Sequence, residues 1–76
     1  MSRDLCIIAC TFCRDADFQY WAHTQCGACQ TAEEAKQFIL DTCEIDSRVK
    51  LDTNTAAAQR FHKLIREPFM AWKELL

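Results

Sequence analysis

Apolar and polar positions change their spacing along this chain, and the change divides it in two. Residues 5–9 read Leu-Cys-Ile-Ile-Ala, a short apolar run with β-branched members, and predict a buried strand. Residues 18–22, Phe-Gln-Tyr-Trp-Ala, are aromatic-rich and predict a second strand after the turn signal Asp15-Ala16-Asp17. From residue 31 the spacing becomes helical. Ala32, Ala35, Phe38, Ile39 and Cys43 form one stripe at three- and four-residue steps, and the helix is expected to end near Cys43 or Glu44. Thr31 and Glu34 stand at capping-box spacing before it, and Glu33 and Glu34 suit the positive end of the helix dipole.

Beyond Ile45-Asp46-Ser47 the pattern predicts two further helical pieces. Ser47 can cap a single turn over Arg48–Leu51. Asp52-Thr53-Asn54-Thr55 is a cluster of N-cap formers before a helix from about Ala56 to Arg66. Ala57, Phe61, Leu64 and Ile65 are its apolar stripe. Pro68 ends that helix and suits the first position of a new one, along which Phe69, Trp72 and Leu76 share a side.

Composition narrows the function classes. Half the 76 residues are apolar, 26% are charged, and there is one Gly and one Pro, so the chain is one small globular domain and neither a linker nor a low-complexity tract. A domain of this size has little core of its own. The apolar run near the N-terminus is too short for a signal peptide, and no stretch reaches the roughly 18 residues that span a bilayer. The expected setting is the cytoplasm, without membrane, where six cysteines point to metal or redox chemistry before disulfides. The net charge of −2 is uneven: residues 1–46 carry −5 and residues 47–76 carry +3.

Four of the cysteines form two pairs, Cys10-x-x-Cys13 and Cys26-x-x-Cys29, twelve residues apart. Tight turns at each pair, joined by a hairpin through Phe18–Trp21, would aim four thiolates at one Zn²⁺. Four cysteine ligands leave no open position, so the metal would be structural. Cys6 and Cys43 read as core thiols. His23, three before Cys26, reads as a hairpin histidine before it reads as a ligand. With its two knuckles, hairpin and following helix, the chain resembles small four-cysteine zinc-ribbon and zinc-finger proteins over residues 5–43. Arg14 and Gln30 replace the glycine such turns often carry after the second cysteine. The expected fold is therefore α+β: a zinc-stabilised hairpin over residues 1–30 and three helical segments over 31–76.

No nucleophile–base arrangement, Gly-rich phosphate loop or His-Glu-x-x-His motif is present, which argues against an enzyme. The sequence favours an interaction module with a protein partner, with Phe69, Trp72 and Leu76 as the candidate docking residues. The alternative is a nucleic-acid-binding regulator that uses Gln59, Arg60, Lys63 and Arg66. A redox dithiol at Cys26-Gly27-Ala28-Cys29, just before a helix, is a third reading. The pattern Cys43-x-Ile45-x-Ser47-Arg48-x-x-Leu51-Asp52, then Phe61-His62-x-x-Ile65-Arg66-x-Pro68-Phe69, is similar to small proteins carried by phages and prophages. That resemblance implies an accessory protein that redirects a host machine, and it assigns no site residues.

Overall fold

The computed structural model describes residues 4–27 and 29–76, and among them there is no β-strand. Five α-helices follow one another: α1 (Asp4–Arg14), α2 (Ala16–Cys26), α3 (Ala32–Cys43), α4 (Thr55–Arg60) and α5 (Glu67–Glu74). A 3₁₀ turn (Arg48–Leu51) precedes α4, and a π-helical segment (Phe61–Arg66) joins α4 to α5.

The α+β expectation is thereby overturned, and with it the β-hairpin of residues 1–30. The expected first strand is α1. Ala9 and Cys13 are buried, with Leu5, Ile8 and Phe12 packed against the same core, whereas Ile7 is 59% exposed. Positions 5, 8, 9, 12 and 13 are one helical stripe, and it extends beyond the five-residue run that suggested a strand. The expected second strand is α2. Phe18, Trp21 and Ala22 line its buried side. Asp15 is its N-cap and accepts the N–H of Asp17 at 2.8 Å. Gly27 closes it in the left-handed region at φ 77°, its N–H donating to the His23 carbonyl at 2.7 Å. Glycine adopts that conformation without steric cost, which makes it a common helix terminator. Gly27 is thus a helix stop, and Ala28, inside the same cysteine pair, lies outside the described residues.

The helical half follows the pattern more closely. Thr31 Oγ1 accepts the N–H of Glu34 at 3.1 Å, and Glu34 Oε1 accepts the N–H of Gln30 at 3.2 Å. This is a capping box shifted by one residue on its return side. Ser47 caps the 3₁₀ turn through Val49, and Asn54 Oδ1 caps α4 through the N–H of Ala57 at 3.1 Å. Asp52 caps a helix other than the one it precedes. Its two carboxylate oxygens accept the N–H groups of Leu5 (3.0 Å) and Cys6 (3.1 Å) at the start of α1.

Pro68 does not break the chain into two helices. The residues around it keep helical angles, with Arg66 at φ −64°, ψ −52° and Glu67 at φ −64°, ψ −50°. In a regular α-helix the proline ring would strike the carbonyl of Leu64, and proline has no N–H to donate. The helix widens just before it, where the N–H of Glu67 reaches back five residues to the carbonyl of His62. Burial gives a second reason for the widening. Ala57, Phe61, Ile65 and Phe69 are all in the core, at strict four-residue steps. On a regular α-helix each such step drifts by about 40°, or about 120° from Ala57 to Phe69. Wider turns rotate less per residue and hold all four toward the core. Leu64, expected in this stripe, is turned out to solvent.

All five helices meet in one core, dominated by aromatic rings. Phe69 lies 5.1 Å from Phe12, 5.1 Å from Phe18 and 5.7 Å from Trp21, centroid to centroid. The contacts with Phe12 and Phe18 are edge-on, a favoured geometry for ring quadrupoles. No helix among the described residues is long and apolar enough to cross a membrane.

Candidate functional site

The first cysteine pair lies within α1 and is not a turn. Cys6, Cys10 and Cys13 fall at i, i+4 and i+7 on one side of α1, a row of thiols rather than a turn. Cys6 and Cys10 share a hydrogen bond between their side chains. Cys13 is buried and takes a hydrogen bond from the Arg48 guanidinium. Cys29, also buried, lies beyond the end of α2 within electrostatic reach of Cys13. Cys26 is exposed on the last turn of α2. One member of each sequence pair is therefore carried to the other, with Cys10 acting on Cys13 and Cys26 on Cys29. Among the described residues no three His, Cys, Asp or Glu side chains are gathered to hold a metal ion.

Burial decides the protonation of these thiols. It pushes Cys6, Cys13 and Cys29 up from the ordinary value of 9.0. At Cys13 the Arg48 guanidinium pulls the other way without overcoming it. At Cys29 the neighbouring Cys26 and Glu34 add to the rise. Cys43 is wholly inside α3's core face and is pushed up to about 11, again by burial. These four are neutral thiols near pH 7, and only a thiolate attacks a disulfide. His23 is a brace: its Nδ1 accepts the N–H of Cys29 at 3.2 Å, holding the loop against α2.

Beside the thiol row is a cavity of about 200 Å³, lined by Cys10, Cys13, Arg14, Ala32, Glu33, Lys36 and Arg48. Three cations reach it from three elements: Arg14 from the end of α1, Lys36 from α3 and Arg48 from the 3₁₀ turn. None of them forms an ion pair with a carboxylate among the described residues, where the pairs are Lys50–Asp46, Arg60–Glu44 and Lys73–Asp15. This convergence is not visible in the residue spacing. Arg14 and Lys36 lie in the acidic half, Arg48 in the basic one, and only the packing of α1 on α3 and on the 3₁₀ turn joins them.

The other candidate residues are scattered. Gln59 and Lys63 are exposed. Arg60 donates from Nε to Glu44 at 3.2 Å, and Arg66 Nη1 lies 3.4 Å from His62 Nδ1. Phe69 is in the core and unavailable to a partner. Trp72 is half-buried and Leu76 is 75% exposed. Tyr20, a member of the aromatic run at residues 18–22, is 64% exposed and stacked on Trp72 at 5.8 Å and 22°. No protein family, curated protein or solved structure matches this chain.

Proposed function

We propose that this chain is a non-catalytic helical interaction module that docks a protein partner on the edge shared by α2 and α5. The observation that supports it is the Tyr20–Trp72 stack. Tyr20 presents most of its surface to solvent, Trp72 supports it from below, and Trp72 in turn stacks on the core ring Phe69 at 6.1 Å. Exposed aromatics with rigid backing lose little side-chain entropy on docking and are enriched among residues that dominate interface energetics. The net charge of −2 favours a protein over a polyanion, and two of the three cations proposed for nucleic acid are already engaged.

The test is site-specific photocrosslinking in the cell that makes the protein, with a photoreactive phenylalanine at position 20 and, separately, at position 59. The expected result is a discrete adduct from position 20 that excess wild-type chain competes away and excess Tyr20→Ser chain does not. Adducts only from position 59 would move the function to the α4 surface, and no adduct at either site would remove the proposal.

A second reading keeps the Zn²⁺ ion on Cys10, Cys13, Cys26 and Cys29. It is favoured by the nearness of the buried Cys13 and Cys29, one from each pair. Cys10 acts on Cys13 and Cys26 on Cys29, so each of the other two ligands neighbours one of this pair. Four thiolates would make the ion a structural tie between α1 and the end of α2. Native mass spectrometry of the reduced protein, with and without a strong chelator, separates the outcomes. One bound zinc, lost to chelator together with helical circular dichroism, supports the reading. A metal-free mass with full helical signal after zinc addition ends it.

A further inference from the structure

We infer that the cavity between α1, α3 and the 3₁₀ turn is a binding site for a phosphate monoester dianion. Arg14, Lys36 and Arg48 line a space of about 200 Å³ with Glu33 as the one carboxylate. Three positive charges against one negative leave the wall at +2. Holding like charges together costs free energy unless something neutralises them. The thiols in the wall do not: Cys13 is held neutral by its burial, and it contributes an acceptor for Arg48 but no charge. The ion pairs among the described residues, Lys50–Asp46, Arg60–Glu44 and Lys73–Asp15, include none of these three cations. An anion from outside is the simplest partner for them.

Size and charge select the anion. Drug-sized ligands fill cavities of roughly 300–1,000 Å³, so this space takes one small group and not a nucleoside. A phosphate monoester carries about −1.5 to −2 near pH 7 and three acceptor oxygens. Two guanidinium groups offer paired N–H donors and a lysine offers a point charge, the usual equipment for phosphate. α3 begins at the same wall with Ala32, so the positive end of its dipole faces the same space. A phosphodiester carries one charge and would neutralise only half of this wall. The phosphate group is therefore terminal, borne by a small ester or by a phosphorylated side chain.

The experiment titrates reduced full-length protein with phenyl phosphate, followed by amide chemical shifts at fixed ionic strength. Inorganic phosphate, dimethyl phosphate and a phosphoserine peptide are titrated in parallel. The expected result is saturable one-to-one binding with Kd on the order of 1 mM, with shifts confined to residues around Cys10, Cys13, Ala32 and Arg48. Lys36→Met and Arg48→Met are each expected to weaken it roughly tenfold, and Lys63→Met is expected to leave it unchanged. Lys36→Met keeps the test valid if loss of Arg48 disturbs Cys13. A peptide that binds more tightly than phenyl phosphate assigns the site to a phosphoprotein, and the reverse order assigns it to a small ester. Equal affinity for dimethyl phosphate, an undiminished response in Lys36→Met, or no saturation by about 50 mM would overturn the inference.

Discussion

Asp52 holds the first turn of α1 from 47 residues away, its Oδ1 on the N–H of Leu5. Helix starts leave backbone donors unpaired, and they are normally satisfied by a residue just upstream. Here the cap comes from the far side of the 3₁₀ turn, so it also fixes where α1 lies against Arg48. Replacing Asp52 with Ala is expected to cost about 1–2 kcal/mol, read from urea denaturation, with faster hydrogen exchange at Leu5 and Cys6. Asp52→Asn retains one acceptor and should cost about half as much. An unchanged denaturation midpoint in Asp52→Ala would show that α1 is held by packing alone.

Phe69 touches rings from α1 and α2, so its removal should be felt across the whole fold. Phe69→Ala is expected to destabilise by about 3–5 kcal/mol through the cavity it leaves. Leu76→Ala should stay within about 0.5 kcal/mol, because that side chain is in solvent. Comparable losses from the two variants in chemical denaturation would place the α5 contact at the wrong residue.

Stability should fall in alkali. Cys43 has a folded pKa of about 11 against an ordinary 9.0, so unfolding releases its proton more readily than the native state does. Its contribution is complete below pH 9 and is lost progressively as pH rises through 11. Cys6, Cys13 and Cys29 are raised as well and act in the same direction. Cys43→Ala should flatten the decline in denaturation midpoint between pH 9 and 11. An equally steep decline in that variant would assign it to other groups.

Asp15 works in the opposite direction. Burial pushes its carboxyl up, but the N–H of Asp17 and the ammonium of Lys73 together outweigh this and hold it below its ordinary value of 3.8. Its contribution is present above pH 3.8 and is lost as pH falls through the lowered value. Asn is also a good N-cap, so Asp15→Asn removes the charge and keeps the cap. It is expected to cost about 0.5–1 kcal/mol at pH 7 and to weaken the acid-side slope of stability. A slope identical to wild type would mean that the Lys73 pair contributes nothing.

The parts of this fold that sequence spacing conveyed are those governed by local chemistry. Thr31, Ser47 and Asn54 cap the elements they precede, and α3 ends at Cys43 as its stripe implies. The first thirty residues misled because two features competed. Cys-x-x-Cys spacing suggests a metal turn, but three residues is also close to one helical turn, and Cys6, Cys10 and Cys13 follow the helical period of α1. Asp15 and Gly27 mark the two ends of α2, an N-cap and a left-handed stop, but the same residue types also suit the turns of a hairpin. The cationic cavity was beyond reach of any local reading, since its members come from three elements brought together only by the packed core.

The widened stretch at Phe61–Arg66 makes the last helix a screw whose thread is coarser in the middle than at its ends. Length along such a screw is coupled to orientation. With one residue removed between His62 and Leu64, a regular thread would make eleven steps from Ala57 to Phe69, about 1,100°, or only about 20° past three full turns. Phe69 would still face Phe12 and Phe18. One residue added there would instead turn everything downstream by about 100°, swinging Phe69 away from those rings and Trp72 away from Tyr20. The widened stretch therefore acts as a one-sided gauge: the last helix tolerates the loss of one residue there far better than the gain of one.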